Sequence, residues 1–278
     1  MSARRMAIGT LMALLLACGA ASAQWLDRPT PGMPRLPDGK PNLSAPPPRT
    51  ADGHPDLSGI WDVGNMLYFH DLAYGLPPGE LQLTPWAAAI QKQRRDREHV
   101  DDPYGYCLPL GVPRINTRSP FKIVPTPGMT AFLHETFVGM TFRQVFTDGR
   151  ELPKPTDVEP TWLGYSIGRW DRDTFVVETT GFRDRGWLSA NMAYPNSDAM
   201  RVTERFTRLD VGNMELAITI DDPKAFLEPW SNKIPLKLLP DAELIEAFCD
   251  NQMIILKTWN YSPMPPEPPS PPLSAVKQ

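Results

Sequence analysis

The chain has 278 residues, with 28 Lys and Arg against 32 Asp and Glu, a formal net charge of −4. A mildly acidic balance of this kind carries no electrostatic footprint for nucleic acid or an anionic membrane surface. The length suits one large β domain with extensions, and a core can form without staples.

At the N-terminus, Arg4 and Arg5 precede an uncharged apolar run, Ile8 to Ala17, and Ala21-Ser22-Ala23 offers the small-x-small pattern of a signal peptidase site. Residues 1–23 therefore read as a cleaved secretory signal, with the mature chain beginning at Gln24 and working in the periplasm or secreted. The apolar run is too short for a membrane span, which takes roughly 20 apolar residues, and no integral membrane segment is expected. Leu15-Leu16-Ala17-Cys18 supports a competing reading, a lipoprotein anchored through Cys18. Cleavage removes two Arg and no acid, leaving 255 residues with Cys107 and Cys249 as the remaining cysteines. An even pair in an oxidising compartment reads as a disulfide, the alternative being two separately buried thiols.

Residues 24–58 form a Pro-rich arm without either hydrophobic period. It holds an imperfect repeat, PDGKPNLSA at 37–45 and ADGHPDLSG at 51–59, read as two turn-then-strand units, the second leading into Gly59-Ile60-Trp61. Thr84 before Pro85 marks a helix start, an N-cap followed by a proline at the first helical position, and the helix is predicted over 85–99. Its buried stripe is assigned to Trp86, Ala89 and Ile90, and the charged remainder to solvent. Beyond an irregular stretch at 101–120, strands are predicted at 121–125, 129–137, 141–146, 163–170, 174–180, 201–209, 214–221, 234–239, 243–249 and 253–259. Many short strands with a single helix give a mainly β fold, an antiparallel barrel over 59–261, followed by a disordered Pro-rich tail at 262–278.

One hairpin register follows from patterning. With Asp210-Val211-Gly212 as a three-residue loop and Gly212 left-handed, Arg208 faces Met214 and Arg201 faces Asp221, a candidate ion pair. Val202, Phe206, Met214, Leu216, Ile218 and Ile220 then share one face, and Glu204 lies among them opposite Ile218. A carboxylate there must meet a cation or stay protonated. Glu204 is thus either a ligand anchor or acid/base group, or the buried partner of an arginine such as Arg143 or Arg169. Glu178 and Arg143 are candidate companions in an interior polar cluster.

The GYSIG string at Gly164–Gly168 matches G-x-S-x-G, but a hairpin follows rather than the strand-to-helix turn a nucleophilic Ser166 needs. Among the histidines, His54 and His99 read as solvated, His70 precedes Asp71, and His134 is the candidate acid/base or ligand donor. No metal-ligand spacing, P-loop or dinucleotide fingerprint is present, so neither metal nor cofactor is expected. Trp61, Phe142, Phe146, Tyr165, Trp170, Phe175, Phe206 and Trp259 fall in predicted strands. Phe142, Tyr165, Trp170 and Phe206 are the candidate ligand-contacting residues.

Gly59-Ile60-Trp61 resembles the G-x-W opening of lipocalins and related calycin barrels. More broadly, residues 52–251 resemble a family of exported bacterial proteins of unassigned function, through PDLSGIW, FRQVFTDGR, GYSIGRWDRDTFVVETTGF, RVTERF and TIDDPKAF. The resemblance implies a lipocalin-like barrel and no specific activity. Family members often carry an HPHSE-like stretch where this chain has YPNSD at 194–198, so histidine chemistry does not transfer to those positions. The expected function is an exported binder of a small apolar or aromatic molecule held in the barrel mouth. Two alternatives stand beside it: a cofactor-independent lyase, isomerase or hydrolase using buried Glu and Arg, and a scaffold contacting partners through its Pro-rich ends.

Overall fold

The structure is a computed structural model in which residues 29–136, 142–247, 249 and 268–273 are described. The signal predicted for 1–23 and the strand predicted for 253–259, with Trp259, lie outside them. Nine strands close a barrel in chain order: β1 (Gly59–Asp62), β2 (Phe121–Thr126), β3 (Met129–His134), β4 (Phe142–Phe146), β5 (Tyr165–Asp171), β6 (Thr174–Thr180), β7 (Arg201–Arg208), β8 (Asn213–Asp221) and β9 (Trp230–Leu238). β9 pairs back onto β1 through Trp61↔Leu238. The stretch 243–249, read as a strand from its sequence, is irregular over 242–247. Both edges of β1 and of β9 are already paired, so closure leaves no ladder for that stretch to join.

Period-two alternation decides which side chains face inward. Along β8, Met214, Leu216, Ile218 and Ile220 are buried while their neighbours are half-buried or exposed. Facing strands add Trp61, Phe121, Ile123, Phe132, Val145, Phe175, Val177, Phe206, Ile234 and Leu236 to one contiguous core. Burying each such side chain contributes about 1.5–3 kcal/mol.

The expectation of a wholly antiparallel barrel needs one correction. An odd number of strands in chain order cannot alternate direction all the way round a closed ring, so one neighbouring pair must run parallel. That pair is β4 and β5, joined at only two register positions, Val145↔Ser166 and Phe146↔Ile167. Residues 147–164 carry the chain back to the starting end, as a parallel connection requires.

The β7–β8 hairpin has the register derived from patterning, with Arg208 opposite Met214 and Glu204 opposite Ile218. Arg201 faces Asp221, but no ion pair joins them among the described residues. Gly212 does not take the left-handed conformation expected of it. The Asp210 carboxylate closes the turn instead, accepting from the Gly212 N–H at 2.9 Å and from the Asn213 side chain at 2.7 Å. Glycine is required at 212 for another reason, since a Cβ there would lie 2.6 Å from the Leu43 Cβ.

That contact belongs to the arm. Its two repeat units fold alike, fourteen residues apart: Arg35 bridges Pro41 and donates to the Gly39 carbonyl, as Arg49 bridges Pro55 and donates to the Gly53 carbonyl. The first unit docks on the β7–β8 turn through Leu43 and Ala45 carbonyls. The second docks on the β5–β6 turn, where Arg49 pairs with Asp173 and His54 stacks on Trp170 with ring centroids 4.5 Å apart.

Two α-helices among the described residues flank the barrel, a single turn α1 (Leu67–His70) and α2 (Pro85–Asp96). The Thr84 side chain accepts from the Ala87 N–H and caps α2 as expected, but α2 ends at Asp96 because Glu98 and His99 turn to positive φ. Its buried residues are Ala87, Ile90 and Arg94 rather than Trp86 and Ala89. Arg94 is inside because its guanidinium lies over Trp187, 4.8 Å from the ring centre, and donates to the carbonyls of Gly186 and Ala193. Cys107 and Cys249 lie at bonding distance, with Cα atoms 5.9 Å apart. In the tail, the Pro268 carbonyl accepts from Trp86 and the Ser270 hydroxyl from Lys224.

Replacing Gly212 with Ala forces the Leu43 contact apart. We expect a loss of about 1–3 kcal/mol in urea unfolding, with faster protease cleavage in the arm. Unchanged stability and cleavage would contradict this docking of the arm.

Candidate functional site

Four consecutive strands each give one polar side chain to a cluster on the inner face: Arg143 on β4, Ser166 on β5, Thr179 on β6 and Glu204 on β7. Arg143 Nη2 donates to Glu204 Oε2 at 2.6 Å and to Thr179 Oγ1 at 2.7 Å, while its Nε donates to Ser166 Oγ at 3.1 Å. Ser166 and Thr179 hydroxyls lie 3.0 Å apart. The second Glu204 oxygen accepts from Asn116 Nδ2 at 2.6 Å. Asn116 comes from a buried 3-10 turn, Arg114–Thr117, just before β2. The Arg143 and Glu204 side chains are 1% and 0% exposed, so the charges are desolvated and depend on one another.

His134 is buried at the end of β3 with its ring against Phe121, and neither ring nitrogen has a hydrogen-bond partner. Burial, reinforced by the nearby Arg143 charge, pushes its pKa down to about 3, which keeps the imidazole neutral. Arg143 Nη1 and Asn116 Oδ1 are likewise without partners.

Among the described residues the barrel wall is open beside this cluster. Thr161 bridges to Phe182 rather than to β4, and Gly164, at φ 68°, turns the chain from that bridge into β5. A Cβ on Gly164 would lie 2.7 Å from the Thr180 carbonyl oxygen, so no other residue makes this turn without displacing backbone. Residues 142–144 and 163–165 therefore diverge below the two-position seam. A cavity of about 540 Å3 fills the gap, walled by Phe142, Phe146, Trp162, Leu163 and Tyr165 and reaching Arg143 and Ser166. A further cavity of about 450 Å3 lies at the opposite barrel end beneath the arm's second unit, lined in part by Leu57, Ile123, Trp170 and Phe175.

The structure thus brings Glu204, Arg143 and His134 into one interior region. Glu178 does not join them: it faces outward and pairs with Arg169 on the surface. Phe142 and Tyr165 line the wall cavity, Trp170 lines the arm-end cavity, and Phe206 is wholly buried against Phe132. Ser166 lies within β5, not on a turn into a helix. His54 and His99, read as solvated, are both engaged, His54 on Trp170 and His99 with the Asn191 carbonyl at 2.7 Å. His70 ends α1 and its main-chain carbonyl accepts from Asn191 N–H. Asn116 and Trp162 escaped the sequence reading because both sit in segments without periodicity.

Among the described residues no group of three His, Cys, Asp or Glu could hold a metal ion, and no helix is long and apolar enough to cross a membrane. No protein family, curated protein or solved structure matches the chain.

Two outcomes test the cluster. Glu204→Gln strands the Arg143 charge and should cost about 3–5 kcal/mol, while the double change Arg143→Met with Glu204→Met should recover much of it; equal losses in both, by urea unfolding, would refute the pairing account. For His134, the folded pKa lies below the ordinary 6.5, so the unfolded chain takes up the extra proton. The stability this group contributes is complete above pH 6.5 and drains as pH falls toward 3, by up to about 1.4 kcal/mol per unit. His134→Leu should flatten the stability profile by that slope between pH 6.5 and 3.5.

Proposed function

We propose that the chain is an exported protein of the calycin-like kind that binds a small apolar or aromatic molecule, and that the molecule sits in the wall cavity between β4 and β5. The observation carrying this reading is the cavity itself. About 540 Å3 falls within the roughly 300–1,000 Å3 usual for ligand pockets, and its walls are aromatic with a few polar groups at the floor. Phe142 and Tyr165 are the ligand-contacting residues among those singled out from sequence, joined by Trp162. Trp170 and Phe206 serve the arm contact and the core. In this reading Glu204, with both oxygens engaged, is the counter-ion that holds Arg143 in place rather than a catalytic acid. Export is supported by the signal-like residues 1–23 and by a cysteine pair at bonding distance, which suits an oxidising compartment.

The test uses a neutral aromatic probe, N-phenyl-1-naphthylamine, followed by its fluorescence on titration with the mature chain. Trp162→Ala removes one wall and should weaken binding about tenfold at unchanged melting temperature. An affinity indifferent to that change would remove the wall cavity as the ligand site.

A further inference from the structure

The charges around the wall cavity narrow what enters it. We infer that its occupant is an amphipathic anion, an aromatic body bearing a single carboxylate or sulfonate; this rests on the reading of the cavity as a ligand site. Two arginines, Arg143 and Arg183, line the cavity, and among the described residues no Asp or Glu does. Two other large cavities differ, because Asp56 lines the one that contains Arg208 and Lys122, and Asp52 lines the one beneath the arm. Of these three, the wall cavity is the one lined by arginine and, among the described residues, by no carboxylate.

The two arginines have different parts. Arg183 is exposed at the rim, its Nε engaged by the Pro160 carbonyl at 3.1 Å, and it makes no ion pair among the described residues. Its remaining donors face no fixed acceptor, so it is the group that meets an incoming anion. Arg143 lies at the floor, with its Nε and Nη2 edge held by Ser166, Thr179 and Glu204 and its Nη1 without a partner. Glu204 already neutralises most of its charge and its side chain is almost wholly buried, which leaves Arg183 as the main electrostatic anchor. A planar fork suits a carboxylate or sulfonate better than a point charge would. Between rim and floor, Trp162, Leu163, Phe142 and Phe146 offer apolar surface for the body of the molecule.

Two probes with the same anilinonaphthalene body separate the claims. One, 8-anilinonaphthalene-1-sulfonate, carries a sulfonate; the other, N-phenyl-1-naphthylamine, does not. With the full mature chain at low ionic strength, the sulfonate probe should bind about tenfold more tightly than the neutral one, as one charge-assisted contact provides. Arg183→Gln, a change at an exposed position, should abolish that preference and leave the neutral probe's affinity as it was. Arg143→Gln with Glu204→Gln keeps the interior uncharged and should leave the sulfonate preference in place, with melting temperature recorded to confirm folding. Equal affinities for the two probes, or a preference that survives Arg183→Gln, would overturn the anion inference while leaving a neutral-ligand site standing. If Trp162→Ala moves neither probe, the cavity reading itself falls, and this inference with it.

Discussion

A guanidinium and a carboxylate meet at 2.6 Å inside a barrel whose other inward residues are almost all apolar, and the rest of the architecture is arranged around that contact. Taking two charges from water is expensive, several kcal/mol per ion even after relaxation, so neither can stand in the core without the other and without further hydrogen bonds. Those bonds come from Ser166, Thr179 and Asn116, each on a different element. A one-residue slip of β4 or β7 would turn Arg143 or Glu204 to the outer face and leave the other charge buried alone. The pair therefore works as a register lock spanning four strands.

The lock sits at one of the barrel's two shortest seams. Nine strands in chain order force one parallel neighbour pair, and here that seam is two residues long on each side. Arg143 on one lip of the seam and Ser166 on the other are hydrogen-bonded, and Thr179 and Glu204 extend the connection to the next two strands. The divergence that shortens the seam also opens the cavity, so the same residues close the ladder and floor the pocket. Rigidity at the floor comes from the ion pair, and a preorganised floor lowers the ordering cost of any guest.

The sequence made the β7–β8 hairpin readable because a period-two apolar pattern and a three-residue loop leave one register that does not mix the faces. Glu204's buried position followed from that register, and Arg143 was already one of two arginines named as its partner. Glu178 was harder: the β5–β6 hairpin admits several registers on pattern alone, and the outward face that pairs with Arg169 is fixed by neighbours on β7. The parallel seam was invisible, since parity acts on the count of strands in the closed ring and no local pattern records it. Asn116 and Trp162 were missed for a related reason, as irregular segments carry no periodicity while tertiary packing sends their side chains inward. Gly212 was singled out for the wrong reason, because what demands glycine there is the arm, a partner far away in sequence.

The arm also explains why a wall opening matters more in this barrel than a mouth. In open-ended barrels a guest enters along the axis. Here the end bearing the β5–β6 and β7–β8 turns is covered by the two arm units, clasped by Arg49–Asp173 and by the Leu43 and Ala45 carbonyls. Below, the 3-10 turn Arg114–Thr117 is buried and sends Asn116 up to Glu204. Arg208 adds a further stopper near the covered end, its guanidinium over Trp61 and its donors spent on the carbonyls of Asp56, Asp210 and Val211. With both axial routes occupied by docked chain, reaching the polar interior along the axis would mean undocking a segment held by several hydrogen bonds. The gap beside the seam needs no such movement, because the cavity there already reaches Arg143.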